Sequence, residues 1–161
     1  MGTHQNRKRQ RGNALVELAL VFLPLMALLL AIIDFSLPIF LWSTFTHAAR
    51  EGVRYGITYR TTGGLSHSES IKRVVQQQAC GFLNGESGLA RIKVRYYSPV
   101  TFAEASGPQA NASGNIVEVS IEPYTQAWIA PLWRSLSPWS ISVVSSDRLE
   151  VLPNGMERPV P

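Results

Sequence analysis

Residues Asn13 to Trp42 read NALVELALVFLPLMALLLAIIDFSLPIFLW, and the rest of the chain takes its meaning from this run. No residue between Leu18 and Ile33 carries a charge, and the apolar character resumes after Asp34. The hydrocarbon core of a bilayer, about 30 Å thick, needs roughly 20 helical residues. The run is therefore long enough to cross, with Glu17 and Asp34 near its ends. Pro24 and Pro38 would break a helix in water, since each removes a backbone donor and crowds the preceding turn. Membrane helices tolerate such prolines as kinks.

Outward from the run, the two flanks differ. Met1 to Gly12 is polar and carries Arg7, Lys8, Arg9 and Arg11 without an acidic residue, and no such basic cluster follows the run. That asymmetry places the N-terminus in the cytoplasm and everything beyond about residue 45 outside. Of fifteen basic residues in the chain, the leader holds four, and the remaining eleven face eleven acidic ones. No basic face is left for nucleic acid, which needs clustered Lys and Arg to neutralise phosphates. The one cysteine, Cys80, excludes an internal disulfide framework. It reads first as a small buried hydrophobe, and otherwise as a partner for an intermolecular disulfide.

Thr44 to Tyr59 continues the helix out of the membrane. Ala48, Gly52 and Gly56 recur every fourth residue and so share one helical face, where small side chains let another helix approach closely. Gly63-Gly64 reads as a turn. A second helix then starts at Ser66, with Glu69 at capping-box spacing. Its apolar face holds Ile71, Val74, Val75, Ala79 and Phe82, and Gly81 or Gly85 ends it.

The period then changes from helical to alternating. Ile92, Val94 and Tyr96 alternate with Lys93, Arg95 and Tyr97, and Val117, Val119 and Ile121 with Glu118, Ser120 and Glu122. These are two half-buried strands. Basic residues on one and acidic residues on the other suit antiparallel neighbours. A third strand, less cleanly patterned, runs from Ser140 to about Val151. Ser98 to Asn115 reads as a long exposed loop. Pro123 to Pro138 is a Pro-rich link holding Trp128 and Trp133, with Trp139 adjoining. The three tryptophans read as a cap on the small core, with a membrane-interface belt as the alternative.

The expected fold is thus α+β: a long transmembrane helix continuing outward, a second short helix, and a small antiparallel sheet of about three strands. The expected boundaries are a basic cytoplasmic leader at 1–12, the helix at 13–60, a periplasmic module at 61–152 and a flexible tail at 153–161.

Arg11-Gly12-Asn13-Ala14-Leu15-Val16-Glu17-Leu18 resembles the processing site of type IV prepilins: a basic leader ends in glycine, and a glutamate follows five residues later inside an apolar helix. Val16 to Pro24 is similar to the opening of TadE-like proteins, and Asp34-Phe35 to an acidic-aromatic pair late in that family's helix. The segment from Ala48 through Ala49, Arg50, Glu51, Gly52 and Val53 to Arg54 resembles the family's Ala-Ala-Arg-Glu-Gly-x-Arg block. Two departures are Leu18, where an aromatic residue often follows the glutamate, and Pro38. The resemblance covers roughly Gly12 to Gly56.

The resemblance implies a pseudopilin of a tight-adherence pilus, cut between Gly12 and Asn13 by a prepilin peptidase and held in the bacterial inner membrane. It implies other Tad pilins, pseudopilins and the pilus assembly platform as partners. Glu17, costly as an isolated charge in a membrane helix, would pair with the new N-terminal amine of a neighbouring subunit and set axial register. Arg50, Glu51 and Arg54 form either a solvated surface just outside the lipid or a contact with another subunit. Major pilins of this class are much shorter, so the outer module here implies a minor subunit.

The competing reading is an uncleaved single-pass protein whose periplasmic module binds a partner. A secretory precursor cut near Ala48-Ala49 fits less well, because its apolar region exceeds the usual length. No enzyme is expected: His4, His47 and His67 are scattered, and neither metal-ligand spacing nor a phosphate loop nor a nucleophile elbow occurs. No cofactor, metal or small-molecule substrate is expected either.

Overall fold

The computed structural model describes residues 3–130, 136–152 and 157–161, with side chains from Asn13 onward. One helix, α1 (Thr3–Ile57), runs through the apolar segment and both prolines without interruption. It stops where Tyr59 takes a left-handed backbone, φ 56°, a conformation that no helix continues. The positive φ values of Gly63 and Gly64 then turn the chain back.

The short helix α2 (His67–Gln78) begins at Ser66, whose hydroxyl accepts the Glu69 N–H at 3.2 Å. That bond satisfies one of the donors that every helix start leaves open. A six-residue helix, α3 (Gly85–Ala90), was not foreseen in the sequence. Three strands follow, β1 (Ile92–Tyr97), β2 (Ile116–Gln126) and β3 (Trp139–Arg148), in an antiparallel meander of order β1-β2-β3. The fold is α+β, as the periodicities imply.

Register follows the alternation. Ile92 faces Ile121, Val94 faces Val119 and Tyr96 faces Val117, while Arg95 lies opposite Glu118. Lys93 and Glu122 approach to 3.5 Å at the exposed end of that pair. The sheet's apolar face closes on α1 and α2. Leu41, Phe45, Ala48, Ala49 and Val53 of α1 meet Ile71 and Val75 of α2, Ala79 just past its end, and the inward residues of all three strands.

Several expectations are corrected. The link does not begin at Pro123: β2 runs on to Gln126, because a bulge sets Glu122 and Pro123 against a single residue of β3. A bulge is where a strand accommodates a proline that cannot donate to the ladder. Cys80 is exposed rather than buried, since it sits just past α2 with φ 50° beside Gly81, turned away from the core. The loop after β1 is only partly exposed. Ala110 and Asn111 are buried in it, and Glu104 bridges back to Tyr97. The final residues are not loose. The Val160 carbonyl accepts the His67 N–H at 2.7 Å, and the Pro159 carbonyl accepts the Asn111 amide at 2.8 Å.

Candidate functional site

Two lengths of α1 differ in what surrounds them. From Asn13 to Ile33 the side chains stand exposed or half-exposed on every side, including Leu20 at 72% and Leu23 at 70%. Glu17 is exposed among them. Hydropathy and length suffice for a membrane crossing in this part of the helix. Further along, Leu41 and Phe45 are fully enclosed. The Gly12–Asn13 bond lies inside the helix.

Asp34 marks the change. Its carboxylate is buried, with Oδ1 accepting the Ile129 N–H at 2.7 Å and Oδ2 accepting the Ala130 N–H at 2.9 Å. A buried charge is tolerated when hydrogen bonds replace its water, and two amide donors do so here. The clasp holds the far end of the β2–β3 connection against α1. Next to it the Phe35 ring meets Trp128 edge-on at 6.0 Å and Trp139 at 6.1 Å, and the two indoles lie 5.4 Å apart. The Trp128 indole N–H donates to the Ser137 carbonyl at 2.9 Å. This aromatic cluster sits beyond the main core, on the membrane-proximal side. Trp133 and Pro131, read with it in the sequence, lie outside the described residues.

The Ala48–Arg54 block divides by face. Ala48, Ala49, Gly52 and Val53 are buried, whereas Arg50 and Arg54 are exposed. A Cβ at Gly52 would collide with the Val75 side chain, and one at Gly56 would come within 2.8 Å of Ile71. The helix that approaches the small face is therefore α2 of the same chain. Arg54 and Glu51 lie 3.9 Å apart on the surface, a spacing worth little in water.

His67 went unremarked as a site in the sequence, where nothing distinguishes it from His4 or His47. It is fully buried between Tyr59 and Tyr96, whose rings stack on it at 5.6 and 5.9 Å. Its Nε2 reaches the Gly56 carbonyl at 3.0 Å, and Nδ1 reaches the Tyr96 hydroxyl at 2.8 Å. A carbonyl only accepts, so Nε2 carries the proton and Nδ1 accepts from Tyr96. Burial pushes the His67 pKa down, against a smaller upward pull from the Gly56 carbonyl, and burial pushes Tyr96 up. Both ring nitrogens are engaged within the protein, so the group ties the end of α1 to α2 and β1. Among the described residues no cluster of metal-ligating side chains occurs.

A helix bare over one length and enclosed by an α+β module over the next is the architecture of a domain anchored to a membrane by its N-terminal segment. Residues 12–54 match the model of the TadE-like protein family. The match runs from Gly12 through the bare length, Asp34-Phe35, Ala48 and Gly52, and stops at Arg54, short of Gly56 and α2. No curated protein and no solved structure matches the chain.

Proposed function

We propose that this chain is a minor pilin-like subunit of a tight-adherence pilus, made as an inner-membrane precursor, cut after Gly12, and active in pilus assembly or secretion. The observation that carries the reading is that the TadE-like match takes in the whole length of α1 that the module leaves bare. Exposed apolar side chains around a whole helix call either for lipid or for other helices. In a pilin-like subunit they meet lipid before assembly and neighbouring helices afterwards.

Glu17 is the register element in this reading. Lipid makes an unpaired carboxylate costly, and a neighbour's new α-amine at Asn13 would relieve that cost only within an assembly. The peptidase must unwind the turn at Gly12 before cutting, and glycine lowers that cost by about 1 kcal/mol relative to alanine. The exposed Arg50 and Arg54 face outward above the membrane, as a solvated surface or as a contact for another pilus component. The membrane-outward orientation follows from the basic leader.

Mass spectrometry of the N-terminus, on membrane-extracted protein made with and without a prepilin peptidase, tests this. The expected product starts at Asn13 only when the peptidase is present. An intact leader under both conditions would leave an uncleaved, membrane-anchored interaction module instead.

A further inference from the structure

Ile129 and Ala130 of the β2–β3 connection sit beside Asp34, below the core, and large apolar side chains are exposed around them. Ile129 is 48% exposed, Leu136 54% and Trp139 36%. On α1 itself, exposed apolar side chains continue past this level, with Ile39 at 67%, Phe40 at 53% and Trp42 at 57%. At 1.5 Å rise per residue, Trp42 stands about 10 Å further from the leader than Phe35. Asn13 to Trp42 measures about 45 Å, the thickness of a bilayer with its headgroups. A lipid surface that shelters α1 as far as Trp42 therefore also reaches the end of the connection.

Backbone polarity fits the same depth. Non-helical backbone survives at membrane level only where its polar groups are satisfied within the protein. The Ile129 and Ala130 amides are satisfied by the two Asp34 oxygens, and Ala130 is fully buried. These two amides thus turn inward to the clasp, while the Ile129, Leu136 and Trp139 side chains are exposed. Tryptophan with one wet and one apolar edge is the residue that favours the headgroup zone. A groove of about 440 Å³ between α1 and the start of β3, walled by Phe35, Pro38, Ile39 and Trp42 on one side and by residues 139–142 on the other, opens at this level.

We propose that Trp128, Ile129 and Leu136 of the β2–β3 connection, with Trp139 at the start of β3, form a second membrane contact, a foot clasped by Asp34 that rests among the lipids of the leaflet from which α1 emerges. Its partner is the lipid surface itself. The foot fixes the module's height and rotation relative to the bilayer, which a single helix leaves free. The inference rests on α1 crossing a bilayer and does not depend on cleavage or on the pilus.

The test uses two full-length proteins, each keeping one tryptophan: Trp42 alone (W128F, W133F and W139F) or Trp139 alone (W42F, W128F and W133F). Both are reconstituted in phosphatidylcholine vesicles brominated near the glycerol end of the acyl chains, and circular dichroism verifies their folding. Trp139 emission is expected to be quenched to within about twofold of the loss at Trp42, as a seat at the same interface requires. Quenching at Trp42 without quenching at Trp139 would place the foot in water, or under a second copy of the chain, and overturn the proposal. Quenching at neither would show that α1 does not cross the bilayer, and the foot would fall with it. A further variant, D34A in the Trp139 background, should lose quenching severalfold while Trp42 keeps its own, because the clasp and not general apolarity sets the depth.

Discussion

The two lengths of α1 share one unbroken helix, yet they differ in composition and in what they face. Between Asn13 and Ile33, large aliphatic residues cover the whole circumference and none is enclosed by the module. Between Leu41 and Gly56 the buried residues recur at helical spacing, Leu41, Phe45, Ala48, Gly52 and Gly56 on one side with Arg50 and Arg54 on the other. An all-round apolar helix belongs in lipid or among helices, and a one-sided one belongs on a core. The lesson is that the change in periodicity, together with the fall in hydrophobicity, separates the span from the packing helix. A single acidic residue at the junction joins the two regimes.

The contrast breaks most visibly at Phe45. This fully buried ring meets Tyr124 at 5.4 Å and Phe82 at 6.4 Å, so Phe45→Ala should destabilise the module by about 3–5 kcal/mol. Leu20→Ala, a truncation in the bare length, should change it by less than about 0.5 kcal/mol. Urea midpoints of the full chain in detergent micelles measure both. Equal losses would mean that the bare length carries part of the module's core.

A smaller effect is expected at the junction. Asp34→Ala leaves the Ile129 and Ala130 amides without acceptors, at about 1–3 kcal/mol for each buried group. Amide exchange at those two residues should accelerate roughly tenfold or more, with exchange in β1 unchanged. Unchanged exchange at Ile129 and Ala130 would show that something other than the carboxylate holds the connection.

The smallest effect concerns pH. Burial holds His67 below its ordinary pKa of 6.5, so the unfolded chain takes up its proton before the native state does. The stability contributed by the neutral ring is complete above that value and declines as pH falls below it, by at most about 1.4 kcal/mol per pH unit. His67→Gln should flatten this part of the profile in thermal melts. A slope left unaltered by the replacement would mean that the native state takes up this proton as readily as the unfolded chain.

How much was legible depended on how local each cause was. The span, the Ser66 cap and the alternation in β1 and β2 are fixed by residues within a few positions of one another, and the sequence carries them openly. The small face of α1 was legible as a packing surface, although its occupant, α2, was not, because spacing says that a neighbour comes close without saying which. Asp34 shows the limit most clearly. An acidic residue beside an apolar span demands a partner, but its donors are backbone amides 95 and 96 residues away, and no side-chain pattern marks an amide. Pro123 misled in the opposite direction: it reads as a terminator, and only the partner strand reveals the bulge that absorbs it. Cys80 was misread because burial statistics for cysteine say nothing about a left-handed turn at the end of a helix.

The division of α1 into a lipid-facing length and a packed length is tested most directly by a nitroxide scan along residues 13–57 in a Cys80→Ser background, reconstituted in bilayers. Collisions with oxygen and with a water-soluble nickel chelate are compared at each position. From Asn13 to Ile33, oxygen should dominate around the full circumference. From Leu41 onward a helical period should appear, with both quenchers excluded from the Phe45, Ala48 and Gly52 face and the chelate favoured at Arg50 and Arg54. Chelate access throughout Asn13 to Ile33, or one unbroken helical period over the whole of α1, would contradict the division and the membrane-anchored architecture built on it.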